Sequence, residues 1–571
     1  MKPTQPASAK KDVVRLLAVS VLVLFVFATA ALAQTPPAAA QSPAADAQAN
    51  AASAASSGKI SCPINSTTVP PLSPPLAAAR DLFRTGKFDE AIAAYNAIVP
   101  LGGTDAAAAY AGLARVYLRQ KRVTDADAAA HKAVALTPDR APAIVALGEV
   151  YFREGKLTQS EKLFLTPLLH CNIDARAYLG LERLYIVNLD FKTADKYIRQ
   201  AYMIDPTDPD IRRHYISTLR GQERIDFLKQ YLASANNDDA ETHTDMQDWL
   251  ELLEGETKEQ QHGCHLVSHV TATETKFEGL LEDPKHMRGL GLNIRINDAA
   301  NAKLMLDTGA SGILIDRKIA EKAGVKKIQE NSIHGIGDTG PAGGYLGFAD
   351  KLQIGELEFH DCFVDVMNSN RVLDDDGLIG ADVFRSYLVE VNMPDRKFKL
   401  TQLPPYPDEP NAEVSLQTSG SKTHQLHNRY VPPDMKDYSP IVLFGHDMLI
   451  PALANKQGPV LMLIDSGSWD STINEAFARQ ITKVGKDSNV TVKGLSGKVQ
   501  NVYRADEVNL QFSHFMQRRT DLIAFDLSHI SNNIGTEVSG ILGFSLLNML
   551  DMKIDYRDGL VSFTYDPNRF H

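Results

Sequence analysis

The sequence predicts a multidomain chain, an all-α repeat array followed by an all-β half made of two similar barrel-like lobes. Three observations carry this prediction. Apolar residues recur at helical spacing, with a repeating period, between residues 71 and 235. From about residue 289 the chain turns to short β-type runs punctuated by Gly, Asn and Asp. That second half also contains one motif twice. At 571 residues the chain can bury several cores.

Residues 1–33 read as an export signal: Lys10, Lys11 and Arg15 precede the apolar run Leu16 to Ala33, which ends in Ala31-Leu32-Ala33 before Gln34. The run is long enough that an uncleaved anchor is the alternative, and only in that case is a membrane a partner. No Cys lies beside the cleavage site, so lipidation there is not indicated. The expected location is periplasmic or secreted. Residues 34–70 are a linker rich in Ala, Pro and Ser, with too few bulky apolar side chains to offset the entropy of ordering.

A net charge of -11 leaves no concentrated basic face, which argues against nucleic acid and favours polypeptides or small molecules as partners. Cys62, Cys171, Cys264 and Cys362 are far apart and lack the paired short spacings of zinc sites. No metal and no cofactor are implied. For an exported chain the pair to expect first is Cys62 with Cys264, both in irregular segments flanking the helical region; four unpaired thiols are the alternative.

Within 71–235, Leu113, Ala114, Tyr117, Ala126, Ala133 and Pro138 are echoed by Leu147, Gly148, Tyr151, Ser160, Pro167 and Asn172, then by Leu181, Glu182, Tyr185, Ala194, Ala201 and Pro206. The shift is 147 - 113 = 34 and 181 - 147 = 34. Gly86, Phe88, Ala91 and Tyr95 mark a looser, earlier unit. This pattern resembles tetratricopeptide repeats, four in number, capped near "DIRRHYISTL" and "RIDFLKQYLAS". The resemblance implies a concave surface for a peptide or partner protein; an array that only braces its neighbour is equally consistent with it. Residues 236–288 read as a polar linker.

In the β half, "LMLDTGASGILIDRKIAEKAGV" and "LMLIDSGSWDSTINEAFARQI" each run from an apolar strand through Asp-Thr-Gly or Asp-Ser-Gly to a return strand and a short helix. Downstream, "DGLIGADVFRSYLVEVNMPDRKFKL" is matched by "SGILGFSLLNMLDMKIDYRDGLVSF", at intervals of 380 - 307 = 73 and 543 - 465 = 78. The lobes span 289–403 and 439–571, joined by a linker over 404–438. An isolated carboxylate sunk behind Leu304-Met305-Leu306 would be costly. Two of them facing each other across a pseudo-two-fold axis can share one proton, and one then serves as acid while the other serves as base.

From Gly289 to Asp566 this duplicated motif resembles aspartic peptidases of the retropepsin and pepsin type, here as two retropepsin-like lobes in one chain. The resemblance implies an endopeptidase whose water nucleophile is activated between Asp307 and Asp465. It also implies that Thr308 and Ser466 lock the turns together, that Gly309 and Gly467 let backbone approach the carboxylates, and that Ser468, where the first lobe has Ala310, contacts Asp465. Flap hairpins would close the cleft at Gly335, Ile336 and Gly337 and at Gly494, Leu495, Ser496 and Gly497; an ordinary surface hairpin is the alternative for the second.

His334 reads as a solvent-facing loop residue, and the run Asp374-Asp375-Asp376 lacks the alternating spacing of a calcium loop. Two readings of another class stay open: a non-catalytic peptide-binding module that retains this fold, and a scaffold in which the helices carry the function.

Overall fold

The computed structural model describes residues 71–171, 173–234, 240–255, 264–283, 286–333, 342–369, 375–407, 426–487, 490–494 and 497–570. The expected export signal and linker (1–70), Asn172, His334, Gly335, Ile336, Gly337, Asp374, Leu495 and Ser496 lie outside the described residues. No helix among the described residues is long and apolar enough to cross a membrane.

The helical periodicity becomes four helix pairs: Pro74–Arg84 with Phe88–Ile98, Gly103–Arg119 with Val123–Leu136, Ala141–Arg153 with Leu157–Leu169, and Ala175–Val187 with Phe191–Ile204. Their second helices start at intervals of 123 - 88 = 35, 157 - 123 = 34 and 191 - 157 = 34. Small residues let the helices touch: Ala79, Ala91, Ala114, Ala126, Ala133, Ala194 and Ala201 are fully buried. The Phe164 ring takes the space that a side chain on Gly148 or Gly180 would need. Helices Pro209–Ile216, Gly221–Ser234 and Ala240–Gly255 follow, the last within the stretch read as linker.

Charged residues of these helices pair with one another. Arg176 donates to Glu149 (3.0 Å), Asp208 (2.9 Å) and Asp210 (2.9 Å); Arg115 reaches Glu149 (2.7 Å), and Arg119 reaches Asp210 (2.8 Å). Arg84 of the first helix bonds Asp205 beyond the fourth pair.

The two lobes have equivalent sheets. In the first, the strand Ala300–Asp307 pairs in parallel with Gly377–Gly380, which pairs antiparallel with Ile313–Asp316, which pairs in parallel with Leu357–Met367. In the second, Gln457–Ile464, Gly540–Leu542, Thr472–Asn474 and Phe515–Phe525 repeat that order and those directions. A short helix follows each return strand, capped by the Asp316 side chain on the Ile319 amide (2.7 Å) and by Asn474 on the Ala476 amide (2.9 Å).

Equivalent residues keep one offset, 465 - 307 = 158 at the Asp turns and 525 - 367 = 158 at Met367 and Phe525. At the next strand it becomes 540 - 377 = 163. The five extra residues of the second lobe (163 - 158 = 5) lie between Phe525 and Gly540, where the helix Ser528–Ile534 forms. That segment is one footing of the helical array; a second is at residues 427–429, where the Thr193 amide donates to Asn428 (3.0 Å) and the Arg429 amide to Asp190 (3.2 Å). Thr536 Oγ1 donates to the Phe152 carbonyl (3.0 Å), the Glu537 amide to the Arg153 carbonyl (2.8 Å), and Arg153 to Asn532 (2.5 Å). One apolar cluster runs through the contact, with Phe152, Phe164 and Leu181 from the helices and Phe444, Leu461 and Ile541 from the lobe.

A six-stranded antiparallel sheet joins the lobes, in the order Ser439–Pro440, Leu560–Thr564, Asp551–Asp555, Tyr387–Asn392, Lys397–Gln402, Ala272–Lys276. Ala272–Lys276, like His265–Leu266 and Glu278–Asp283, lies in the stretch read as linker yet forms a strand.

The disulfide differs from the expected pair. Cys264 bonds Cys362, Cys171 is disulfide-bonded as well, and no cysteine among the described residues is free. Cys264 lies in a bend immediately before the strand His265–Leu266, and the pairing of His265 with His360 brings it to Cys362. The bond closes a separation of 98 residues. A Cys264→Ser/Cys362→Ser double variant is expected to lose about 2–5 kcal/mol in urea unfolding. An unchanged midpoint would mean that strand pairing alone holds this loop closed.

Candidate active site

Asp307 ends its strand directly across from Gly380, in the first lobe's parallel pair. Asp465 follows the equivalent strand, its amide donating to the Leu542 carbonyl (3.0 Å). The structure brings the two carboxyl groups into hydrogen-bond contact with each other.

Four hydrogen bonds cross between the turns. Thr308 Oγ1 donates to the Ile464 carbonyl (2.8 Å) and accepts from the Ser466 amide (3.0 Å). Ser466 Oγ donates to the Leu306 carbonyl (2.8 Å) and accepts from the Thr308 amide (3.1 Å). Each hydroxyl is buried and uses both its donor and its acceptor capacity on the opposite lobe, so the turns are held to each other before any ligand arrives. The glycines explain the close approach. A Cβ on Gly309 would sit 2.8 Å from Asp465 Cγ, and one on Gly467 would overlap the Asp307 carboxyl group.

The two carboxyl groups are not equivalent. Burial raises both above the ordinary Asp range. Asp307 is held well above it, with the neighbouring Asp465 charge adding to burial. Asp465 Oδ1 accepts the amides of Gly467 (2.9 Å) and Ser468 (3.0 Å), and the hydrogen bond from Asp307 offsets part of its rise. Asp307 Oδ1 in turn accepts the Gly309 amide (2.9 Å), and the pair as a whole holds one shared proton. Ser468 contacts Asp465 through its amide; its hydroxyl donates instead to the Asp470 carbonyl (3.3 Å).

The strands Lys326–Ile333 and Ala342–Ile354 pair up to Ile333 and Ala342, forming the hairpin that leads into the first flap candidate. In the second lobe Gly494 pairs with Gly497, and Lys493 with Lys498, as a two-stranded hairpin. The acidic run is taken up in structural bonds: Asp375 pairs with Arg288, and Asp376 accepts the Lys303 amide (2.8 Å).

Sequence reasoning missed three side chains at the site. Continuing the register of Leu449 with Leu463 sets Asp447 across from Asp465; burial, the Asp465 charge and Asp382 push Asp447 up to about 6, against the pull of His446. Asp382, just past Gly380, accepts the Gly312 amide (3.0 Å) and the Ser311 hydroxyl (3.1 Å). Trp469, one residue beyond Ser468, is 45% exposed. A signal for two of them lay in the duplication: the common offset aligns Asp447 with Gly289 (447 - 289 = 158) and Trp469 with Ser311 (469 - 311 = 158), so each breaks the copy beside the dyad.

No curated protein matches the chain. Among solved structures, an aspartic proteinase from Irpex lacteus is similar over 52% of this chain and 98% of its own, at 12% identity and a TM-score of 0.32, too low to bear on the site. Residues 292–383, which contain Asp307, Thr308, Gly309 and the Gly377–Gly380 strand, match the family model described as aspartyl protease.

Proposed function

We propose that the chain is an exported aspartic endopeptidase whose dyad is Asp307 and Asp465. The observation that carries this is the pair of carboxyl groups, hydrogen-bonded to each other on two turns that are locked crosswise by Thr308 and Ser466. In this reading Asp465 takes a proton from water as the water oxygen attacks the peptide carbonyl carbon, and Asp307 gives its proton to the carbonyl oxygen. On collapse the C–N bond breaks, Asp465 returns a proton to the departing nitrogen, and Asp307 recovers its own. The substrate is a polypeptide. Export fits the disulfide between Cys264 and Cys362, which persists in an oxidising compartment.

The helices fit a tetratricopeptide-type array by their 34- and 35-residue spacing. We assign the array to bracing the second lobe. The shared apolar cluster supports this, as does the internal pairing of Arg84, Arg115, Arg119 and Arg176, which otherwise would be the groups to hold an acidic peptide.

Cleavage of a diverse peptide library across a pH series tests the proposal. Wild-type protein is expected to cut, and Asp307→Asn and Asp465→Asn each to abolish cutting with the fold retained. Retained peptide binding without cleavage at any pH would leave a binding module in its place.

A further inference from the structure

The strands beside the two dyad turns share one register, and a single residue breaks the match. Gly291 pairs with Met305, which continues to Gly289 opposite Asp307. Leu449 pairs with Leu463, which continues to Asp447 opposite Asp465. Residues directly opposed on antiparallel strands project from the same face, with Cβ positions about 4.5–5.5 Å apart. Asp447 therefore stands beside Asp465. The matching place in the first lobe is apolar: a Cβ on Gly289 would meet Met305 Sδ at 2.7 Å, so the thioether lies over the glycine next to Asp307.

The backbone fixes Asp447 where it is. Asp447 pairs with Phe444 across the turn Gly445-His446, Gly445 supplies the left-handed φ of 64°, and the Tyr556 hydroxyl donates to the His446 carbonyl (2.7 Å). The nearest cation is His446, whose Nε2 lies 3.6 Å from Asp447 Oδ1, too far for a hydrogen bond. The other groups facing Asp447 are mostly acidic. Asp465 and the Asp307 that it contacts stand on the turns, and Asp382 reaches across from the first lobe, where it holds the Ser311 hydroxyl and the Gly312 amide. Tyr556 also faces it, with Arg385 5.9 Å from the ring. Burial, the Asp465 charge and the Asp382 charge, against His446, push Asp447 up to about 6. Its own charge is thus absent near pH 4 and complete near pH 8.

We propose that Asp447 is a positioning residue for the shared proton: once ionised, it holds that proton on the Asp307–Asp465 pair and extends upward the pH range in which the pair keeps one acid and one base. This rests on the peptidase reading of the dyad. The sign follows from charge alone. Losing the first proton of the fully protonated pair sets the lower limb of activity, and losing the shared proton sets the upper limb. A neighbouring negative charge opposes the second loss, and Asp447 carries that charge at the upper limb more than at the lower one.

The test is kcat/KM on one cleaved peptide from about pH 3 to about pH 9 for wild type, Asp447→Asn and Asp447→Glu. Asp447→Asn keeps the shape and removes the charge; its upper limb is expected to fall by about 0.5–1.5 pH units while the lower limb moves by less than about 0.3. Asp447→Glu keeps the charge and is expected to hold the upper limb within about 0.3 units of wild type. A merely structural role predicts the reverse, with Asn tolerated and Glu not. The same proteins would be titrated without substrate by carbon-13 spectra of their Asp carboxyls, the dyad signals being those lost in Asp307→Asn and Asp465→Asn. The upper dyad titration should fall in Asp447→Asn by the same amount. A dyad titration and an upper limb that both stay in place in Asp447→Asn, or that fall equally in Asp447→Glu, overturn the proposal and leave the peptidase standing. If wild type cuts nothing at any pH yet the dyad titration still falls in Asp447→Asn alone, the peptidase reading fails and the hold of Asp447 on the shared proton stands.

Discussion

Gly467→Ala is expected to lower kcat/KM on any cleaved peptide by at least about 100-fold while the protein remains folded. A methyl group at this position would occupy the space of the Asp307 carboxyl group, so either that carboxyl or the whole turn must shift. Displacing a reacting group by about 1 Å is enough for a loss of that order. Gly309→Ala presses on Asp465 in the same way and is expected to act in the same direction. Gly485→Ala is the control, because a Cβ there meets nothing within 4 Å. Kinetics beside urea midpoints separate the two effects. Activity within about threefold of wild type in Gly467→Ala would show that the Asp307 carboxyl moves aside without consequence, and that the close approach is not part of the machinery.

Stability is expected to fall as pH rises from about 4 to about 8, against the usual trend for paired carboxylates. Asp555 is fully buried beside Asp558, and burial together with the Asp558 charge pushes it up to about 7. Asp558 is already committed: it accepts the Tyr430 amide (2.9 Å), the Tyr406 hydroxyl (3.2 Å) and Arg557 (2.9 Å), while Asp555 Oδ2 has no partner. A carboxyl whose folded value lies above its unfolded one binds its proton more tightly when folded. Its stabilising contribution is complete below about pH 4, declines as pH rises, and is gone above about 7. For Asp555 alone that difference is on the order of 4 kcal/mol. Asp447, at about 6, and the raised dyad act in the same direction. Urea midpoints at pH 4, 6 and 8 should fall in that order, and Asp555→Asn, which mimics the protonated acid, should flatten the decline. Midpoints that rise with pH would mean that Asp555 is ionised in the folded protein.

The dyad was legible because duplication put the same short motif at matching distances twice, and the helix pairs were legible because their period repeats. The strand Ala272–Lys276 was not. Its sequence, Ala-Thr-Glu-Thr-Lys, is mostly polar because it edges the six-stranded sheet, and its partner Lys397–Gln402 lies far along the chain. Local composition carries no trace of such a pairing. The Cys264–Cys362 bond was hidden for the same reason, since strand register between distant segments decides it. Trp469 and Asp447 were hidden inside a correct alignment: attention to where the lobes agree passed over the places where they disagree.

The five-residue difference between the lobes also dates an event. The constant offset from Asp307 to Met367 shows two copies of one ancestral unit, and the change to 163 marks a single gain in one copy or loss in the other. Either way it happened after the copying, because before then there was one unit to change. If the first lobe lost these residues, the Ser528–Ile534 footing is as old as the copied unit; if the second lobe gained them, the footing is younger than the two-lobed body, and a relative that branched before the gain would carry both Asp turns without it.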